Sequence, residues 1–314
     1  MSVLPHRRLG SSDLEVSLFS LGSWRTFERI PREQGLAVMK AARDEGINFL
    51  DDARYNDETG EAPIATGYSE IVFGELFRTA GWVRDEVVVA NKLWWEFWPE
   101  QDAAGEIESS MGRMGLDHID LIYTMQPPTG LSIADLVEQV AGLVSSGRAR
   151  AWGIGNWPAA ELTEAVAATR SLGVSLPVAA QLPYSLVRAD WVQDPVMESV
   201  LADADIGLVA SYVLAGGTLT GKYLHGESGR AHADDSAAIV AGKNRAAVVV
   251  ELAREWNVTP AGLAFAFALS HPRLASVLFG ATSPEQVREN VASLDVFNGL
   301  DDDQRRRLDD LATS

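Results

Sequence analysis

The run Leu21–Gly22–Ser23–Trp24–Arg25–Thr26–Phe27 decides the fold. It closes the apolar stretch Val16–Leu21, where an open nucleotide-binding sheet would carry a G-x-G-x-x-G turn. Trp24 and Phe27 stand where the second and third glycines would have to be. Working outward, seven more short apolar runs read as strands: Ile47–Leu50, Val87–Ala90, Ile119–Tyr123, Ala151–Ile154, Val178–Ala180, Gly207–Ala210 and Ser276–Phe279. Several are continuously apolar, as parallel strands covered on both faces should be. Amphipathic segments lie between them: Arg32–Glu45, Ser69–Ala80, Gln101–Met114, Ile133–Ser146, Pro158–Leu172, Pro195–Ala204, Arg245–Trp256 and Pro284–Leu294. Eight strand–helix units predict an α/β fold, a (β/α)8 TIM barrel. Gly10–Ser11–Ser12–Asp13 inside Arg7–Leu18 predicts an N-terminal β-hairpin plugging its bottom. Gly226–Lys243 reads as a long surface loop, and one domain over residues 1–314 is the simplest organisation.

Charge narrows the function. The 314 residues hold 26 Lys and Arg against 44 Asp and Glu, a formal net charge of −18. That field repels nucleic acid and anionic membranes, so neither is expected as a partner. The absence of cysteine excludes disulfides, thiolate catalysis and thiolate metal sites. No apolar run nears the roughly 20 residues of a membrane span, and no signal pattern opens the chain. A cytoplasmic protein is expected, with its oligomeric state open.

Barrel chemistry collects where strands end. The second strand runs out in Asp51–Asp52–Ala53–Arg54–Tyr55 and the third in Asn91–Lys92. A carboxylate holding Lys92 charged, and the cation beside Tyr55, would lower the phenol from about 10 and tune it for proton donation to a carbonyl. The same residues also fit a plain buried ion pair. A metal reading of Asp51, Asp52, Asp57 and Glu58 is poor, with no histidine beside them and Lys92 competing, so no metal is expected. The run Leu93–Trp94–Trp95–Glu96–Phe97–Trp98–Pro99 reads either as an apolar substrate wall or as a rigid lid on the rim.

In order and spacing the chain resembles the aldo-keto reductases from end to end, most closely the branch containing the potassium-channel β subunits. The resemblance rests on Leu21–Gly22–Ser23–Trp24, Gly46–Ile47–Asn48–Phe49 with Asp51, Val88–Val89–Ala90–Asn91–Lys92 and Trp152–Gly153–Ile154–Gly155–Asn156–Trp157. It continues through Gln181, Gly216–Gly217–Thr218–Leu219–Thr220–Gly221–Lys222–Tyr223 and Gly280–Ala281 to Asn290. It implies a (β/α)8 barrel, a nicotinamide cofactor bound without a Rossmann fold, and a tetrad of Asp, Tyr, Lys and His. Asp51, Tyr55 and Lys92 fall on the first three.

Three departures stand out. Tyr55 follows Asp51 by four residues where the family has five, which leaves Tyr68 as the nearby substitute. The fourth strand delivers Met125, then Gln126, in the histidine's register. The Gln126 amide can donate a hydrogen bond and a thioether cannot; His118 lies before the strand, on a solvated turn. The nicotinamide-stacking aromatic falls on Ser211, with Tyr212 beside it. The cofactor is expected against Gly22, Ser23, Trp24 and Asp51, with Asn156 and Gln181 on its carboxamide. Leu214, Gly216, Gly217 and Leu219 are expected along the pyrophosphate. Gly280, Thr282, Ser283, Gln286, Glu289 and Asn290 take the adenosine end, at a helix start with Ser283 as N-cap and Pro284 at N1. NADP is favoured over NAD from family habit, although Gly280 or Thr282 replaces the usual cation. Arg288, Arg230 and Lys243 are the candidate substitutes. The expected activity is that of an NAD(P)-dependent aldo-keto reductase of alcohol dehydrogenase type, acting on a small carbonyl or alcohol. The alternatives are a nicotinamide-holding regulatory subunit and a carbonyl-centred isomerisation or elimination with hydride return.

Overall fold

The structure, a computed structural model, describes residues 4–225 and 236–313. Eight parallel strands close a barrel in the order β10-β3-β4-β5-β6-β7-β8-β9. They are β3 Phe19–Gly22, β4 Phe49–Asp51, β5 Val88–Leu93, β6 Ile119–Thr124, β7 Ala149–Gly155, β8 Ala179–Pro183, β9 Gly207–Ser211 and β10 Leu274–Phe279. The predicted run Val16–Leu21 divides at Leu18. Its first part joins the antiparallel hairpin β1 His6–Arg8 with β2 Glu15–Ser17, and its second part is β3. The amide of Leu18 donates to the Pro5 carbonyl at that corner.

The hairpin does plug the bottom. Leu9, Leu14 and Val16 pack with Phe49, Leu121, Val178 and Val209 in the barrel interior. Gly10, at φ +54, lies where a Cβ would come within 2.2 Å of the Val178 carbonyl and 2.5 Å of that of Asp205. No side chain fits so tight an approach.

Around the barrel run α1 Arg32–Asp44, α2 Tyr68–Ala80, α3 Ala103–Met114, α4 Ile133–Ser145, α5 Ala159–Leu172, α6 Pro195–Asp203, α7 Ala237–Trp256, α8 Pro260–Leu269, α9 Pro284–Gly299 and α10 Asp302–Thr313. Short polar side chains start many of them. Asp102, Ser132, Asp194, Thr259 and Ser283 each accept a backbone N–H of the first turn, satisfying donors that the helix itself leaves open. Helix α7 begins at Ala237, so residues 237–243 are helical and not loop; the earlier part of the expected loop, with Arg230, lies outside the described residues. Among the described residues no helix is long and apolar enough to cross a membrane.

Candidate active site

The C-terminal ends of the strands converge as the sequence predicts. Asp51, the last residue of β4, pairs in register with Gly22 of β3 and Ala90 of β5. Its carboxylate accepts a hydrogen bond from Lys92 Nζ of β5. From across the barrel, Gln181 Nε2 of β8 donates to its other oxygen at 2.8 Å. A bond between β4 and β8 is possible only if both side chains point at the barrel axis. Asp51 and Lys92 are both buried, so each charge depends on the other.

Lys92 Nζ also donates to Tyr55 Oη at 3.3 Å. Tyr68 is elsewhere, its hydroxyl accepting from Arg32 Nη2 at 2.9 Å. The loop that is one residue short therefore still brings Tyr55 to the ammonium. Ser69 holds it: the hydroxyl donates to the Ala53 carbonyl at 2.7 Å and accepts from the Tyr55 amide at 3.4 Å.

The predicted direction of the phenol's shift is reversed. Burial, and then the carboxylates of Asp51, Glu28 and Glu70, push Tyr55 well above its ordinary value near 10. One nearby ammonium does not outweigh desolvation and three carboxylates. Tyr55 is therefore a phenol that keeps its proton at neutral pH.

The two residues after the fourth strand, Met125 and Gln126, offer no second donor to this group. Met125 takes the expected register, with its sulfur only 2.7 Å from where a Cβ on Gly155 would sit. Gln126 is exposed and turned outward, its Nε2 donating to Glu161 of α5 at 3.2 Å. His118 lies at the opposite end of β6, hydrogen-bonded to Asp117 at 2.8 Å.

Several contributors were not singled out in sequence. Tyr123, fully buried within the barrel, has its ring centroid 5.9 Å from Lys92 Nζ. Burial and Asp51 push its phenol up as well. Glu106 of α3 accepts from the backbone amides of Trp94 and Trp95 at 2.9 and 3.0 Å, fixing the aromatic loop. Arg54 ties that loop down by donating to Glu96 at 2.8 Å, with its guanidinium 4.8 Å from the Phe97 ring centroid. The Trp94 ring meets Tyr55 edge-on with centroids 6.0 Å apart. The aromatic run is thus a pinned wall beside the phenol.

Beyond β9 the chain turns sharply. Tyr212, immediately after Ser211, has φ +59, and Gly216 and Gly217 have φ +67 and +86. Left-handed backbone here leaves Gly217 without a side chain and brings Lys222 Nζ within 3.3 Å of where its Cβ would lie. A bare backbone with a cation beside it suits a phosphate. Lys222 was visible in the quoted Gly221–Lys222–Tyr223 but carried no role there. After β10, Ser283 caps α9 with Pro284 at N1, and the Gln286 side chain accepts from the Thr282 amide at 2.8 Å. Asn290 is buried, Gly280 and Glu289 are exposed. Arg288 pairs with Glu45 and Glu285, at 3.9 and 3.6 Å. Asn156, at φ +58, and Trp24 are exposed on the rim, while Ser23 is buried.

Residues 19–313 match the Aldo/keto reductase family. The chain belongs to that family. Its members are generally NAD(P)H-dependent oxidoreductases. Similar proteins include one from Oryza sativa subsp. japonica, described as a probable voltage-gated potassium channel subunit beta. It is 29% identical over 317 residues, covering 94% of this chain and 92% of the relative. A protein of the same description from Arabidopsis thaliana is 28% identical over the same shares.

Proposed function

We propose that this aldo/keto reductase uses NADPH to reduce small carbonyl compounds, with Tyr55 as proton donor. The observation that carries the reading is the 3.3 Å contact of Tyr55 Oη with a Lys92 ammonium locked onto Asp51. When bound, the nicotinamide supplies hydride to the carbonyl carbon. Tyr55 gives the carbonyl oxygen its proton, and the Lys92 ammonium steadies the phenolate left behind. Because burial and the surrounding carboxylates hold the phenol protonated, the donor is ready at neutral pH. Alcohol oxidation needs the phenolate as base, so the reverse direction is slower and quickens with pH.

Gly22, Ser23, Trp24 and Asp51 would line the nicotinamide, with Gln181 and Asn156 at its carboxamide and Ser211 or Tyr212 against the ring. Leu214, Gly216, Gly217 and Leu219 would follow the pyrophosphate, with the Lys222 ammonium beside Gly217 as its counter-charge. Gly280, Thr282, Ser283, Gln286, Glu289 and Asn290 would take the adenosine end at the positive terminus of α9. The bare left-handed turn at Gly217 and the neighbouring ammonium support this fit. NADP is favoured over NAD from family habit, since Lys222 beside Gly217 meets a pyrophosphate that both carry. The apolar wall of Trp94 and Phe97 favours substrates with an apolar or aromatic body.

One observation favours a second reading, a nicotinamide-holding regulatory subunit with vestigial catalysis. Met125 cannot donate a hydrogen bond, and Gln126 is spent on Glu161, so Tyr55 works without a partner donor. Assays of NADPH oxidation with a panel of aldehydes separate the two. Continuous turnover supports the reductase; one equivalent oxidised and then no more supports the regulatory subunit. No NADPH binding at all overturns both.

A further inference from the structure

Directly behind the proposed catalytic trio lies a second carboxyl that the proposed mechanism does not use. Asp52 follows the last residue of β4, its backbone amide donating to the Ala90 carbonyl at 3.1 Å. Its side chain is fully buried. One carboxyl oxygen shares a short hydrogen bond with Ser23 Oγ at the end of β3. The other makes no hydrogen bond among the described residues. Among the described residues no cation forms an ion pair with it. Lys92 on β5 is engaged by Asp51, and Arg113 on α3 donates to Glu70 of α2 at 2.5 Å. Three buried carboxyls, Asp51, Asp52 and Glu70, thus face the buried Lys92 and the part-exposed Arg113. Tyr55 keeps its proton and adds no charge. Of the three acids Asp52 alone has no ion pair among the described residues, and a buried carboxyl so placed is far less costly neutral than charged.

We propose that Asp52 is a positioning residue that works as a neutral carboxylic acid, its proton fixing the Ser23 hydroxyl and, through Ser23, the nicotinamide end of the cofactor. The cofactor half of this statement rests on the proposed function; the state of Asp52 does not. Burial and the Glu70 carboxylate push Asp52 well above the usual carboxylate range, against the weaker pull of Ser23, the Ala53 amide and Lys92. With the acid proton on the shared line, Ser23 accepts from Asp52, and its own hydrogen is directed outward to an acceptor on the ligand. Ionisation of Asp52 reverses that bond and leaves Ser23 as donor to the carboxylate, with nothing to offer a ligand.

The test uses the full chain, its Asp52→Asn, Asp52→Ala and Ser23→Ala variants, and NADPH. An infrared difference spectrum of wild type minus Asp52→Asn at neutral pH is expected to show the C=O stretch of a protonated carboxyl. A carboxylate band in its place overturns the proposal. In fluorescence titration Asp52→Asn, also neutral and hydrogen-bonding, is expected to keep the NADPH affinity of wild type within about threefold. Asp52→Ala and Ser23→Ala are each expected to weaken it about tenfold, the worth of one hydrogen bond. Wild-type affinity should fall as alkali ionises Asp52, while Asp52→Asn stays flat. A tenfold loss in Asp52→Asn, or equal pH profiles for the two proteins, overturns the positioning role. If wild type binds no NADPH, the proposed function fails, while the infrared band still decides the state of Asp52.

Discussion

Replacing Lys92 with methionine removes the cation and keeps the length of the side chain. In the folded protein Asp51 is then left with Gln181 Nε2 at 2.8 Å as its remaining polar partner, on a side chain only 4% exposed. Breaking a buried pair by removing one member costs about 3–5 kcal/mol, because the surviving charge stays buried without compensation. A loss within that range is expected in a denaturant melt at pH 8. Adding Asp51→Asn should recover most of it, since two neutral side chains leave no orphaned charge. Stability within about 1 kcal/mol of wild type at pH 8, or no recovery in the double variant, would refute the reading of a mutually dependent pair.

Two further outcomes follow from neighbouring parts of the molecule. Burial, with Arg273 adding to it, lowers His271 from 6.5 to about 4, so between these values the unfolded chain binds a proton that the folded chain refuses. Stability should fall by about 3 kcal/mol on acidification across that window, and His271→Gln should lack this part of the slope in melts at stepped pH. Met125→His should raise the steady-state rate of aldehyde reduction at least about tenfold by supplying a second donor to the carbonyl oxygen; an unchanged rate would mean that Tyr55 alone sets the barrier.

The barrel was legible because its strands are continuously apolar runs with helical periodicity between them. The helix α8 was not, since Pro260–Leu269 is apolar on every side and has no polar face to reveal its period. Asp51, Tyr55 and Lys92 were legible from their places at strand ends. The sign of the phenol's shift was not, because it depends on burial and on Glu28 and Glu70, which only folding brings around Tyr55. Gln126 illustrates the same limit: register put it beside Met125, yet Glu161, thirty-five residues on, takes its amide. Asp52 entered the sequence reading only with Asp51, Asp57 and Glu58, as a poor metal-ligand set. Its lack of an ion pair among the described residues is a property of the packed strand ends and has no signature in sequence.

The most direct measurement is single-turnover reduction of an aromatic aldehyde by NADPH-loaded Tyr55→Phe, followed by loss of cofactor absorbance beside wild type. Removing the phenolic proton should slow the step by about 10²-fold or more while NADPH affinity holds. Reduction at the wild-type rate would contradict Tyr55 as the acid.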